Sequence, residues 1–220
     1  MNRAAPPSPP SSPSPVGSGR LHLTLRNRHP TWRVNTRLLR RITLAACDQL
    51  PAARTAPLAG ALAIVFLEAR AMARLNERFL GHHGPTDVIT FDYSLHEPPG
   101  QGTRPTTCRP GPLTRRGGWT VAQQTVKEPA ALPGPGAGRA LHGDVFICLD
   151  EARRQARAWG TTWPAELVRY VVHGLLHLCG YDDLAPGPRR ELKRVEHRLV
   201  RRLAAGFPFN RLGCAGNFRP

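Results

Sequence analysis

The chain has 220 residues and a formal net charge of +16, with 31 Lys+Arg against 15 Asp+Glu. That length admits one domain with appendages, and that charge favours a polyanionic partner, RNA or DNA foremost, although part of it reflects an arginine-rich composition. No C-x-x-C pair joins Cys47, Cys108, Cys148, Cys179 or Cys214, no apolar run reaches membrane-spanning length, and no apolar signal core opens the chain. This composition argues against a disulfide framework, a Cys-type zinc site, a membrane span and a secretory signal, and for a cytoplasmic protein.

Residues 1–19 are mostly Pro, Ser, Gly and Ala, which predicts a disordered tail, too Pro-rich for the amphipathic helix of a transit peptide. Leu21-His22-Leu23-Thr24-Leu25 alternates apolar and polar as a half-buried strand does. Asn35 is placed to cap a helix to about Leu50, with Leu38, Leu39 and Ile42 on its apolar side. Ala61 to Leu67 reads as a second strand, and Glu68 to Phe79 as a helix with Met72, Leu75 and Phe79 at helical spacing. After Gly81 to Pro85, the β-branched alternation of Thr86 to Tyr93 predicts a third strand.

Ser94 to Arg139 is rich in Pro, Gly, Thr and Arg and reads as a lengthened surface connection, an insertion without a core element. Its arginines, among them Arg104, Arg109, Arg115 and Arg116, would add to a field facing RNA. Gly143 to Leu149 resumes the sheet, and Asp150 is placed to cap a helix through Ala158. Thr162, with Pro164 behind it, introduces the next helix, and Arg189 to about Leu203 forms a last, basic one. Residues 206–220 are expected to be a flexible tail. These elements predict an α+β domain over residues 20–205, with a single mixed sheet of about four strands packed with helices.

The chemistry gathers in Val171-Val172-His173-Gly174-Leu175-Leu176-His177-Leu178-Cys179-Gly180-Tyr181-Asp182-Asp183. His173 and His177 share one face of an otherwise apolar helix, and two buried imidazoles are satisfied together by a shared Zn²⁺. Gly180 can end the helix in a left-handed turn and bring a carboxylate back to both rings. The spacing selects Asp183 as that carboxylate, with Asp182 as its competitor and a turn cap as the role left to it. Three ligands and an open fourth position are the layout of a catalytic zinc site. Zinc peptidases with this spacing carry Glu directly after the first His, where this chain has Gly174.

The run from His173 to Asp182 resembles the signature of the YbeY endoribonucleases. Leu75-Asn76, Thr86-Asp87-Val88-Ile89-Thr90-Phe91, Gly143-Asp144-Val145, Gln155-Ala156 and Glu166-Leu167 match further blocks in the same order. The resemblance spans about Leu21 to Leu203, apart from the insertion. It implies one zinc ion per chain, cleavage of single-stranded RNA, and a place in maturation of the 3′ end of small-subunit ribosomal RNA and in ribosome quality control, with the small ribosomal subunit as partner. Two departures stand out. Asp183 occupies the usual place of a third histidine, and Leu80 that of an arginine credited with serving the phosphate, so the catalytic residue is unassigned, with Arg78, His82 and His83 nearby. The rival readings are a zinc peptidase and a non-catalytic, metal-containing ribosome-assembly factor.

Overall fold

The computed structural model describes residues 20–50, 59–93, 106–108 and 140–213. The tail at 1–19, most of the insertion at 94–139 and the last residues, 214–220, lie outside the described residues. The elements run β1 (Leu21–Asn27), α1 (Thr36–Gln49), β2 (Ala59–Leu67), α2 (Ala69–Leu80), β3 (Val88–Asp92), β4 (Thr106–Cys108), β5 (Ala140–Cys148), α3 (Leu149–Trp159), α4 (Trp163–Leu178) and α5 (Pro186–Gly206). A 3-10 turn, Phe209–Leu212, follows.

The fold is α+β, with one mixed sheet in the order β1-β2-β5-β3-β4. β1, β2 and β5 run parallel, with Leu21 opposite Gly60 and Ala61 opposite His142, while β3 pairs antiparallel with β5. The pleat sends alternate residues to opposite faces. Val145 and Ile147 join the main core with Leu62, Ile64 and Phe66 beneath α1, α4 and α5. Phe146 and Cys148 face a smaller cluster with Met72, Ile89 and Phe91, covered by α2.

Sequence expectation and structure part in three places. A fifth, three-residue strand, β4, pairs with β3 inside the stretch read as an insertion without a core element (Val88 opposite Cys108). Three residues among Pro and Arg carry too short an alternation to read as a strand. Asp150 does not cap α3: β5 runs directly into the helix, so the cap position falls on Cys148. The Asp150 carboxylate instead accepts the Ala69 N–H at the start of α2, at 2.7 Å, and meets His29 Nε2 at 3.1 Å. Finally, the segment expected to be loose from residue 206 is packed through Gly213. Leu212 is fully buried, its carbonyl accepts the Asn35 N–H at 2.8 Å, and Gly213 bridges Val34. One cap expectation is met fully: Asn35 Oδ1 accepts the Leu38 N–H at 3.0 Å.

α4 is the element that positions the chemistry. It packs against α1, α3, α5 and the sheet, and nearly all of its second half is buried. Two glycines permit its close seat on β5. A Cβ on Gly143 would stand 2.6 Å from a Leu178 methyl, and one on Gly174 would stand 2.7 Å from Val145 Cγ1. Among the described residues no helix is long and apolar enough to cross a membrane.

Candidate metal centre

His173 and His177 lie one turn apart on α4, so their rings meet edge to face with centroids 4.5 Å apart. Their Nε2 atoms are 2.9 Å from each other. α4 ends as its spacing predicts. Gly180 adopts φ 86°, and the Gly180 and Tyr181 N–H groups close onto the carbonyls of His177 and Leu176. The left-handed turn reverses the chain, and Asp183 returns to the rings. His173, His177 and Asp183 each offer a ligand atom, and these atoms lie within 4.8 Å of one another. Asp182 goes elsewhere: its Oδ1 accepts the Leu184 N–H at 3.0 Å and caps the turn.

The hydrogen bonds set the chemistry of the rings. His177 Nδ1 is 2.8 Å from the Tyr181 carbonyl, which can only accept, so Nδ1 carries the proton and Nε2 presents a lone pair. His173 Nδ1 is 2.9 Å from Glu196 Oε2. Burial alone would push the Glu196 carboxyl up, but the hydrogen bond from His173 and that ring's charge outweigh it and hold Glu196 below the usual range. Glu196 is therefore an acceptor, and the His173 ring is oriented in the same way, with Nε2 turned inward.

Asp183 is 1% exposed, and neither of its carboxylate oxygens has a hydrogen-bond partner. A buried carboxylate in that state is costly. Burial pushes its pKa up to about 6, against the pull of His173 and Arg189. Burial, and then the neighbouring His173, hold His177 well below the usual histidine range. Two inward Nε2 atoms, which offer lone pairs once both rings are neutral, and an unpartnered carboxylate at one point form a set that a divalent cation satisfies at once, with both imidazoles oriented from behind. The donors, two N and one O, fit zinc and its first-row neighbours alike.

Beside the cluster lies a cavity of about 110 Å³ between α4 and α5, lined by His173, Asp183 and Glu196, by Arg169, Arg189 and Lys193, and by Asp87 from the approach to β3. Asp87 is buried, accepts from Thr86 Oγ1 and the Val88 N–H, and is pushed up to about 6 chiefly by burial. Leu80 is not at this cavity. It ends α2 and packs against the cluster of Met72, Ile89 and Phe91. Its neighbours do not stand in for an arginine there either. Arg78 lies over the Phe79 ring at 5.3 Å, His83 faces Glu77 at 3.4 Å, and neither they nor His82 line the cavity.

Sequence reasoning missed Glu196, although a signal existed. It is an acid among Leu192, Val195 and Leu199 on the apolar side of a basic helix, a place where a carboxylate needs a reason.

A family model described as Endoribonuclease YbeY matches residues 24–204. The Endoribonuclease YbeY of Frankia alni is 32% identical over 166 residues, covering 73% of this chain and 72% of that protein. That of Mycolicibacterium paratuberculosis is 32% identical over 160 residues, 73% of this chain and 70% of the other. A solution structure of TM1509 from Thermotoga maritima, 15% identical, superposes with a TM-score of 0.46 over 90% of this chain and 99% of that one, and adds nothing to the assignment.

Proposed function

The chain belongs to the endoribonuclease YbeY family, and from that premise we propose that it is a metal-dependent endoribonuclease that cuts single-stranded RNA. His173, His177 and Asp183 would hold one divalent cation, with Zn²⁺ the ion that the family resemblance favours. The observation that carries the metal reading is the unpartnered, buried Asp183 carboxylate beside two inward Nε2 atoms. Maturation of small-subunit ribosomal RNA at the 3′ end, with the small ribosomal subunit as partner and the cytoplasm as location, is the biological role that the resemblance supports.

When bound, the cation supplies Lewis acidity for the phosphoryl oxygen and activates water near neutral pH. The protein's residues do the rest. Glu196 and the Tyr181 carbonyl fix the two rings so that both Nε2 atoms face one point, and Asp183 adds the anionic ligand. The three ligands are buried beside α5, and the lower local dielectric strengthens charge interactions there.

Incubation of metal-loaded protein with single-stranded and duplex RNA, beside an Asp183→Ala control, tests the reading. Cleavage confined to single strands and lost in the control is the expected result. RNA binding that persists with no cleavage under Zn²⁺, Mn²⁺ or Mg²⁺ would instead indicate a non-catalytic assembly factor, a reading that the displaced family arginine at Leu80 gives some weight.

RNA affinity should fall with salt, because the +16 charge implies phosphate contacts that release counterions. With about three contacts, log K should drop with log salt at a slope of about −2, on the order of tenfold from 50 to 200 mM. Titration of a labelled oligoribonucleotide at several salt concentrations measures it, and a flat series would remove charge from the account.

pH should act on the site with a definite sign. Asp183 is pushed up to about 6 from 3.8 in the folded, metal-free chain. The associated stability is present below the unfolded value and is lost as pH rises through the folded one, so acid favours the metal-free fold. Cation binding runs the other way, since it needs an ionised carboxylate and neutral imidazoles. The thermal-shift gap between loaded and chelated protein should therefore be wider at about pH 7.5 than at about pH 5. Equal gaps would mean that Asp183 is not a ligand.

A further inference from the structure

The arginines of α3 form a basic surface that the metal centre does not use. Arg153, Arg154 and Arg157 line an open hollow of about 480 Å³ together with Trp32 and Asp150. Arg153 and Arg157 leave one face of the helix on successive turns, like charge beside like, an arrangement that destabilises a helix by itself. The carboxylates nearby are engaged elsewhere. Arg154 holds Glu151 in a fork, its Nε donating to Oε2 at 2.8 Å and its Nη2 to Oε1. Asp150 takes the Ala69 N–H on one oxygen and meets His29 on the other. Among the described residues no carboxylate forms an ion pair or hydrogen bond with Arg153 or Arg157.

Arg153 is also held in place. Its guanidinium carbon stands 3.4 Å from the centroid of the Trp32 ring, an attraction of cation for ring face that fixes the group and shields one side from water. Burial first, and then the charge of Arg157, lower its pKa, while Asp150 pulls the other way. A guanidinium stays charged under such a shift, and its fork of N–H donors matches two oxygens of a phosphate. The surface is joined to the metal centre as well. The Cys148 N–H at the head of α3 donates to the Asp87 carbonyl at 2.8 Å, Asp87 lines the cavity beside the ligands, and its charge reaches Arg154. Arg157 stands about 14 Å along the helix from Cys148. A single strand that leaves the cavity past Asp87 therefore meets this surface within a few nucleotides.

We propose that Arg153 and Arg157 bind neighbouring phosphates of single-stranded RNA outside the cleavage site, a docking site on α3 that favours long strands over short ones. Given the endoribonuclease reading, on which this site rests, α3 sets the path of the substrate beyond the metal cavity.

The test uses the full, metal-loaded chain with single-stranded oligoribonucleotides of about 4 and about 12 nucleotides, lengths that span a typical single-strand site. It compares wild type with Arg157→Gln, with the pair Arg153→Gln and Arg157→Gln, and with Arg201→Gln, which removes one exposed charge late in α5. Wild type should prefer the longer strand. The double variant should narrow that preference on the order of 10-fold at about 100 mM salt, through KM and not kcat, with wild-type metal content. Its salt slope for binding the longer strand should be shallower by about 1.4. Arg157→Gln, exposed and with no contact to lose, should change the slope by about 0.7, which separates phosphate contact from damage to the Trp32 stack. Arg201→Gln should match wild type. A wild-type length preference and salt slope in the double variant overturn the site, leave the endoribonuclease reading standing, and leave the surface to a partner such as an acidic protein. An equal loss in Arg201→Gln overturns it too. If wild type binds RNA without cutting it, the affinities and slopes decide the site alone. Wild-type protein that binds no RNA overturns both.

Discussion

Replacement of Asp183 by alanine should abolish metal binding and RNA cleavage together while leaving the fold intact. The carboxylate is the only anion among the three clustered ligands, it is 1% exposed, and neither oxygen is hydrogen-bonded. Its removal leaves two neutral imidazoles, and metal affinity should fall by at least about 100-fold, more than the loss typical of a residue that only supports a ligand. The effect on stability separates a ligand from a structural acid. Metal-free Asp183→Ala should be no less stable than metal-free wild type, because the substitution removes a buried, unpaired carboxylate. Chelation should then lower the Tm of wild type and not of the variant. Asp183→His should keep the metal, since a third imidazole is a sound ligand. Asp182→Ala should cost about 0.5–1.5 kcal/mol, the worth of its hydrogen bond to Leu184, and keep full occupancy. Elemental analysis of the purified variants decides the matter: full metal occupancy in Asp183→Ala would sink the assignment.

The parts of this site that were legible from sequence are those that local geometry decides. An i, i+4 pair on an apolar helix, a glycine with positive φ and a carboxylate three residues further on are fixed within one helix and one turn, and the structure brings His173, His177 and Asp183 together. The Asn35 cap belongs to the same class. What could not be read depends on contacts between distant residues. Glu196 is 23 residues from the ring it orients. Asp150 serves the start of α2 and not its own helix because β5 brings it there, 81 residues from its partner Ala69. Leu212 looked like part of a loose tail, yet its carbonyl pairs with Asn35 and its side chain fills the core beside α1. The central place of β5 in the sheet arises only when a strand after the long connection inserts between β2 and β3. Periodicity identifies that a strand exists; it does not say which neighbours it takes.

Gly174 carries the second large effect, on stability. It follows the first ligand, where a zinc peptidase would carry its general base, and the structure shows that the position faces the sheet. A Cβ there would stand 2.7 and 3.2 Å from the two Val145 methyls and 3.4 Å from Thr90 Oγ1, and Gly174 does not line the cavity beside the cluster. A side chain at this place would therefore start against β5, and the chain lacks there the residue type that a zinc peptidase uses as general base. Two terms oppose each other in Gly174→Ala. Alanine is favoured over glycine inside a helix by about 1 kcal/mol. Overpacking against Val145, a branched side chain that cannot swing away, costs typically about 1–3 kcal/mol. The second should win, for a net loss of about 1 kcal/mol and a lower Tm. Gly174→Glu adds a buried, unpaired carboxylate, and the several kcal/mol that this costs approach the whole stability of a small domain, so that variant should be recovered unfolded or insoluble. A Gly174→Ala, Val145→Ala pair should be less destabilised than the sum of its single changes, since each relieves the clash or the void left by the other. Thermal unfolding of the three variants measures the terms. Stabilisation by Gly174→Ala alone would show that α4 does not seat on β5 as closely as its two glycines require.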